Sequence, residues 1–183
     1  MSSISYRSFK AKNNSTFLVR NALPSDAKKL YDLKLSISKE RIYSLGEPEE
    51  FRATSKSEKE KIKRFYEAEG KVYVVAEYRK NIIGLIEFDN FYHKKCTHNG
   101  LFTLFVKKSW RNKGIGKILL QQLLDWAKTN HLIRKVSLNV FSTNKNAIAL
   151  YKKYGFKQEG YCPGDMIIDG KYVDSVLMYK FVK

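Results

Sequence analysis

A strand-like run that leads through a glycine turn into a helix-like run is the feature of this sequence that most limits its fold. Residues 100–106 (GLFTLFV) form an apolar run of strand length, and residues 111–117 (RNKGIGK) carry two glycines one residue apart. The apolar residues that follow lie on one face of a helix: Leu119, Leu120, Leu123, Leu124 and Ala127. A strand that passes directly into an amphipathic helix predicts a layered fold in which helices pack on a sheet.

The glycine turn has the features of an anion-binding loop. A turn that feeds a helix presents unpaired backbone N–H groups at the positive end of the helix dipole. Gly114 and Gly116 lack a Cβ, so an anion can approach the main chain closely. Arg111, Lys113 and Lys117 add charged donors. The pattern predicts a cradle for a phosphate or a diphosphate, although on its own it also occurs in ordinary loops.

Two common phosphate-binding loops do not fit this turn. A Walker loop would require a glycine at position 111 and a hydroxyl side chain at position 118, where the chain has Arg111 and Ile118. A Rossmann fingerprint that starts at Gly114 would require a glycine at position 119, where the chain has Leu119. The sequence therefore argues against both of these nucleotide-binding motifs.

The wider pattern of the chain predicts one mixed sheet flanked by helices. Apolar runs and turn signals predict strands over residues 17–21, 71–78, 81–91, 100–106, 135–141, 156–162 and 171–181. Helical periodicity and end signals predict helices over residues 24–39, 55–70, 119–127 and 147–154. The order is β-α-α-β-β-β-α-β-α-β-β, which is an α+β fold. Residues 1–14 are polar and aperiodic, so we expect a flexible N-terminal arm before a single domain over residues 15–183.

Composition argues against several classes of protein. An apolar fraction of 43% over 183 residues suits a globular domain rather than a disordered chain. The chain has neither a long apolar run nor an apolar signal-peptide core at its start, so we expect a cytoplasmic protein without a membrane span. The cysteines and histidines show no metal-ligand spacing and predict neither a metal site nor a disulfide scaffold: Cys96, Cys162, His93, His98 and His131.

The net charge of +17 indicates an affinity for anions. Nucleic acid, the ribosome and phosphorylated small molecules are all consistent with it. The basic residues are scattered from Lys10 to Lys183, and no RNA-binding signature is visible. A basic RNA- or ribosome-binding module therefore stays an alternative, as does a charge that has no partner beyond a phosphate-bearing ligand.

Two motifs in the second half of the chain resemble the GCN5-related N-acetyltransferase (GNAT) superfamily. The first is Q/R-x-x-G-x-G/A, which Arg111, Gly114 and Gly116 match. The second is N-x-x-A-I-x-L-Y-x-x-x-G-F, and its matching residues are Asn144, Ala147, Ile148, Leu150, Tyr151, Gly155 and Phe156. The similarity covers residues 100–181, and the element order of the first half agrees with it. The resemblance implies the GNAT acyl-CoA N-acyltransferase fold, in which two central parallel strands splay apart.

The resemblance implies acetyl-CoA as the co-substrate and no metal. The exposed strand edge at Leu104, Phe105 and Val106 would pair with the amides of the pantetheine arm, like an added strand. The diphosphate would lie on the backbone of Arg111, Asn112, Lys113, Gly114, Ile115, Gly116 and Lys117. Asn144 and Asn146 would lie beside the cofactor at the start of the next helix, where Asn144 is also a natural helix cap.

The same resemblance gives Tyr151 the role of general acid toward the departing CoA thiolate, although its spacing also fits a packed core tyrosine. A backbone N–H at Val106 or a neighbour would stabilise the developing oxyanion. The amine would attack directly in a ternary complex, so neither cysteine is needed as a nucleophile. The predicted strand over residues 101–104 has no acidic residue, so Glu87 is the first choice of general base, with His98 second and a water relay as an alternative. Glu87 also fits a solvent-facing strand carboxylate.

No motif identifies the acceptor, which is expected to be a primary amine of a small molecule, a protein N-terminus or a lysine. It would lie between the first two helices and the last hairpin, near residues 41–43 and 161–169, where Asp165, Asp169 and Asp174 could bind a cation. A basic protein repels polyamines and aminoglycosides, which disfavours them as acceptors. A catalytically inactive acetyl-CoA sensor is a further alternative, and the chain is expected to be a monomer or a homodimer.

Overall fold

In a computed structural model, residues 4–50 and 52–183 are described, and they build a single eight-stranded sheet with four α-helices. The strands are β1 (Arg7–Lys10), β2 (Thr16–Asn21), β3 (Lys71–Tyr78), β4 (Asn81–Asn90), β5 (Asn99–Val106), β6 (Lys135–Phe141), β7 (Lys157–Ile168) and β8 (Lys171–Phe181). The helices are α1 (Ala27–Ser38), α2 (Ser55–Glu67), α3 (Ile115–Thr129) and α4 (Lys145–Lys153). The predicted α+β class is confirmed. No helix in this part of the chain is long and apolar enough to cross a bilayer.

The sheet has the strand order β1-β2-β3-β4-β5-β6-β8-β7, and β5 and β6 are its parallel neighbours. Helices α1 and α2 cover one face, and α3 and α4 cover the other. The central strands are buried on both faces: in β3, Val72 and Val74 pack toward α3, whereas Tyr73 and Val75 pack toward α1 and α2. This two-sided burial explains why β3 and β4 read as continuous apolar runs rather than as alternating ones.

Strand β1 corrects the expectation of a flexible arm over residues 1–14. Residues 7–10 pair antiparallel with β2, from Arg7 opposite Val19 to Lys10 opposite Thr16. The Phe9 ring packs near the Phe17 ring, with 6.0 Å between their centroids. A single apolar side chain in a polar segment gives no periodic signal. The strand forms nevertheless, because β2 supplies its hydrogen bonds. Residues 1–3 of the predicted arm lie outside the described residues.

A buried ion-pair network fixes the start of α1 against the sheet. Arg20 on β2 donates to Asp26 at 2.5 Å and to Glu77 on β3 at 2.5 Å. Burial opposes the charge on Asp26, but hydrogen bonds from Arg20 and from the Leu23 amide hold its pKa below the ordinary value. The network orients α1, which forms one wall of the site described next.

The two parallel strands separate after three residue pairs. Asn99 lies opposite Lys135, Gly100 opposite Val136 and Leu101 opposite Ser137, which are the registered pairs of β5 and β6. Beyond them, β5 stays paired with β4 as far as Val106, and β6 stays paired with β8 as far as Phe141. Residues 102–106 and 138–141 therefore face each other across a V-shaped gap, and the predicted splay is confirmed.

Candidate active site

A cleft of about 540 Å³ opens between the splayed strands, on the side of α3 and α4. Its walls come from β5, from the glycine loop before α3 and from the first turns of α4. Every residue predicted to bind the cofactor lines this cleft except Lys113, and the lining ones are Leu104, Phe105, Val106, Arg111, Asn112, Gly114, Ile115, Gly116, Lys117, Asn144, Asn146 and Tyr151. Residues that are distant in the sequence thus converge on one cavity.

The backbone of the glycine loop presents free donors to the cleft. The Ile118 amide donates to the Gly114 carbonyl at 3.1 Å, which is the first rung of the helix. The amides of Ile115, Gly116 and Lys117 precede that rung and so have no acceptor within the helix. All three residues line the cleft, where their N–H groups lie at the positive end of the α3 dipole.

The two glycines have different tasks. Gly114 has a φ of 91°, a left-handed conformation that is strained for any residue with a Cβ. Gly116 is ordinary helix, and a Cβ there would lie 3.7 Å from Val106 and 3.9 Å from Leu150. A methyl group would therefore fit without a clash, but it would occupy space between β5 and α4. Gly114 shapes the loop, and Gly116 keeps the cleft wide.

Two of the three cations predicted as charged donors are engaged within the protein. The Arg111 guanidinium donates to the Glu40 carboxylate at 2.6 and 2.8 Å and to the Val106 carbonyl at 3.1 Å. The Lys113 ammonium donates to the Ser109 carbonyl at 2.7 Å. Both side chains therefore already have protein partners, and Arg111 and Lys117 line the cleft.

Lys12 lines the cleft as well, although it is not among the predicted cofactor residues. Its backbone amide donates to the Lys113 carbonyl at 3.1 Å, which attaches the β1–β2 turn to the glycine loop. The contact spans about a hundred residues of sequence, and no local pattern announces it.

Tyr151 lies at the inner end of the cleft, with a side chain that is buried between aromatic rings. Its ring centroid is 5.5 Å from that of Phe102 and 5.9 Å from that of Phe156. Among the described residues, no side chain or backbone group is within hydrogen-bonding distance of its hydroxyl. Burial raises the pKa of the Tyr151 phenol above its ordinary value, so the hydroxyl is protonated and free to donate.

A second cavity of about 390 Å³ lies on the α1 and α2 side of the gap. It shares part of its wall with the first cleft, and the shared residues are Tyr43, Leu104, Phe105, Asn144 and Tyr151. Tyr43, in the loop after α1, packs against β6, with its ring centroid 5.9 Å from that of Phe141. The two cavities are therefore neighbours that share Tyr151 and the splayed end of β5 in their walls.

Glu87 lies in the wall of this second cavity and is buried, so the solvent-facing interpretation is wrong. Lys61 donates to its carboxylate at 2.7 Å and Lys34 at 3.3 Å. Burial opposes the charge, but the two ammonium groups hold the pKa of Glu87 below its ordinary value. Lys34 also contacts Glu58 at 3.0 Å, so the site contains a small network of buried charges.

Asn144 and Asn146 begin α4 at the edge of both walls. The Asn144 side chain accepts a hydrogen bond from the Ala147 amide at 3.2 Å, which confirms the predicted helix cap. Asn144 also lines both cavities.

Other predicted residues lie away from the two cavities. His98 precedes the paired end of β5, where its carbonyl accepts from Arg134 at 2.9 Å, and it lines neither cavity. Asp165 accepts from Ser175 at 2.6 Å, and Asp174 is paired with Tyr161. The part of the last hairpin expected near the acceptor, residues 161–169, is likewise absent from both linings. Within residues 4–50 and 52–183, no three His, Cys, Asp or Glu side chains converge on a metal position.

Two proteins of known activity are similar to part of this chain. The spermidine N(1)-acetyltransferase of Vibrio cholerae is 31% identical over 109 residues, which cover 58% of this chain and 61% of that protein. The L-amino acid N-acetyltransferase AaaT of Escherichia coli is 29% identical over 98 residues, which cover 54% of this chain and 60% of that protein. The chain thus spans about three fifths of the length of these relatives.

The fold is similar to that of solved acetyltransferases. An acetyltransferase of the GNAT family from Streptococcus pneumoniae superposes with a TM-score of 0.87 at 26% identity, over 91% of this chain and 99% of that one. The model of the acetyltransferase (GNAT) family matches residues 39–156. That match covers more than half of the sequence and includes the glycine loop and α4, and on this ground the chain belongs to the acetyltransferase (GNAT) family.

Proposed function

We propose that this protein is an acetyl-CoA-dependent N-acetyltransferase in which a primary amine attacks directly in a ternary complex. The observation that supports the proposal is that two cavities beside the gap in the sheet share Tyr151 in their walls. One cavity has free backbone donors for a diphosphate, and the other has room for a separate substrate. A site with two openings and one shared donor suits a transfer between two bound molecules.

The cofactor half of the proposal rests on backbone groups. The amides of Ile115, Gly116 and Lys117 would hold the diphosphate at the N-terminus of α3. The free edge of β5 at residues 104–106 would pair with the amides of the pantetheine arm. Acetyl-CoA would supply the thioester that is the acetyl donor. A backbone N–H at Val106 or a neighbour would stabilise the negative charge that develops on the thioester oxygen.

Tyr151 would act on the leaving group. As the amine nitrogen forms its bond to the acetyl carbon, the carbon–sulfur bond breaks and the sulfur becomes negative. The phenol donates a hydrogen bond to this sulfur and passes it a proton as the thiol is released, and the proton lost by the amine is returned to the phenolate through the base and solvent. A thiol has an ordinary pKa of about 8.5, well below that of a buried phenol, so the thiolate is a weak base toward Tyr151. We therefore expect the phenol to stabilise the sulfur by a hydrogen bond before it transfers its proton.

Glu87 is the proposed general base on the acceptor side. Its carboxylate is ionised and lies in the wall of the second cavity, which supports this role. Its ion pairs with Lys34 and Lys61 weaken it as a base, and a water molecule between the amine and Glu87 is the alternative route for the proton.

The acceptor would be a primary amine that fits the second cavity. Among the described lining residues, Glu87 and Lys34 carry charge, and the rest are apolar or neutral polar groups. The two relatives are named for different acceptors, spermidine and L-amino acids, so neither name transfers directly. The net charge of +17 repels a polyamine, whereas an amine that carries its own carboxylate is more compatible with the positive electrostatic field of the protein.

The proposal is tested first by ligand-induced stabilisation. Acetyl-CoA is expected to raise the midpoint of thermal unfolding, whereas an unrelated nucleotide is not. Absence of a shift at saturating acetyl-CoA would contradict both the transferase and a sensor that keeps the cofactor site. Release of free thiol over a panel of primary amines then separates them, because a sensor binds the cofactor without turnover.

A further inference from the structure

The β1–β2 turn is built as a rigid support for one lysine. The Ala11 amide donates to the Ser15 carbonyl at 2.9 Å, and the Asn14 amide donates to the Ala11 carbonyl at 2.9 Å. Ala11 itself is 4% exposed and belongs to the core that contains α3. Because the turn is closed by its own hydrogen bonds and anchored in the core, Lys12 projects from a defined position.

The turn is attached directly to the glycine loop. The Lys12 amide donates to the Lys113 carbonyl at 3.1 Å, one residue before the left-handed Gly114. The Lys12 side chain is exposed, and Lys12 lines the same cleft as the first residues of α3. No acidic side chain among the described residues pairs with it. A lysine without an acidic partner and amides without a helical acceptor therefore belong to the same cleft.

Two of the three cations of the glycine loop are bonded to other protein groups. Arg111 is paired with Glu40, and Lys113 is bonded to the Ser109 carbonyl, so Lys117 is the loop cation that stays in the cleft without a protein partner among the described residues. Lys12 adds a second free cation from a separate part of the chain. A lysine ammonium is a compact charge with three donors, which suits a phosphate oxygen.

We propose that Lys12 is a phosphate-binding residue of the cofactor cleft, and that β1 serves to hold it there. The ligand group is a phosphate of acetyl-CoA, either in the diphosphate or at the 3′ position of the ribose. The inference rests on the proposed function, because it needs acetyl-CoA in this cleft. It adds a residue outside both motifs, on a strand at the edge of the sheet.

The test is the dissociation constant for acetyl-CoA, measured by calorimetry on the full chain. Lys12→Ala is expected to weaken binding about fivefold, and the difference is expected to shrink as salt is added, because the contact is an exposed charge pair. Lys12→Arg is expected to retain the wild-type affinity. Lys10→Ala is the matched control, since Lys10 is an exposed lysine of the same hairpin that does not line the cleft. Thermal unfolding of each variant verifies the fold.

The outcomes separate this inference from the proposed function. A wild-type protein that does not bind acetyl-CoA overturns both. Binding that Lys12→Ala and Lys10→Ala weaken equally, or not at all, overturns the role of Lys12 alone. A selective loss in Lys12→Ala supports it, and a repeat with CoA that lacks the 3′-phosphate assigns the contact. If the loss persists, Lys12 contacts the diphosphate; if it disappears, Lys12 contacts the 3′-phosphate.

Discussion

Arg111 and Glu40 form a two-pronged ion pair that joins the loop after α1 to the tip of β5. The two terminal guanidinium nitrogens donate to the two carboxylate oxygens at 2.6 and 2.8 Å, while Nε donates to the Val106 carbonyl. Glu40 lies in the same loop as Tyr43, which lines both cavities. The pair therefore links the wall of the second cavity to the loop that begins the cofactor cleft.

Replacing Arg111 by lysine separates a positioning role from a phosphate-binding role. Lysine keeps the charge but cannot form the planar fork, so we expect a loss of about tenfold in kcat/KM for acetyl-CoA. Glu40→Ala is expected to give a similar loss, and the double variant no more than either one, because all three break the same link. Steady-state kinetics at varied acetyl-CoA measures this, and full activity in Arg111→Lys would contradict it.

Tyr151→Phe is expected to lower kcat about a hundredfold while the affinity for acetyl-CoA stays unchanged. The reason is that the hydroxyl has no bond to the described residues and is proposed to act only on the leaving sulfur. Tyr154→Phe is the matched control, because Tyr154 ends the same helix and lines neither cavity. Thiol release and calorimetry give the two quantities. Unchanged turnover in Tyr151→Phe would remove this residue from the mechanism.

The two glycines of the loop are expected to respond differently to alanine. Gly114→Ala forces a Cβ into a left-handed conformation, and we expect the free energy of unfolding to fall by about 1–2 kcal/mol. Gly116→Ala meets no clash within α3 and is expected to hold or raise stability, since alanine favours helix. Urea unfolding compares them. Equal destabilisation would mean that the loop geometry is not as described.

Acid is expected to destabilise the protein through Asp26 and Glu87. Both carboxyls have a pKa below the ordinary value in the folded state, so folding favours their charged forms. Their stabilising contribution is therefore complete above the unfolded pKa, which is about 4. It declines as the pH falls through the lower folded values. Urea unfolding from pH 7 to pH 3 measures the slope, and Asp26→Asn is expected to flatten it.

Glu87→Gln also tests the buried charges directly. It leaves Lys34 and Lys61 with one carboxylate fewer, and we expect a loss of about 3 kcal/mol at neutral pH. Asp89→Asn on the same strand is the control, because Asp89 pairs with Lys71 at a more exposed position and is expected to cost less than about 1 kcal/mol. Equal effects would contradict the burial of Glu87.

Local sequence patterns were sufficient to predict those parts of the site that are formed by a single continuous segment. The period of α3, the glycine turn before it and the Asn144 cap each follow from neighbouring residues. Strand β1 was missed because its stability comes from β2 rather than from its own composition. The partners of Arg111 and Glu87 could not be predicted either, since Glu40 is 71 residues from Arg111 and Lys34 is 53 residues from Glu87. A charged side chain in a strand is predicted to be exposed, because the sequence does not show which distant residue will pair with it in the folded protein.

The separation of β5 and β6 after three residue pairs has a consequence for how substrate specificity can evolve in such a protein. Most of the groups proposed to hold the acetyl donor are main-chain atoms, which an amino-acid replacement leaves in place. The groups around the second substrate are side chains, which a single codon change can alter. Under the proposed function, substitutions in the second cavity can therefore change the amine that is accepted without changing the donor.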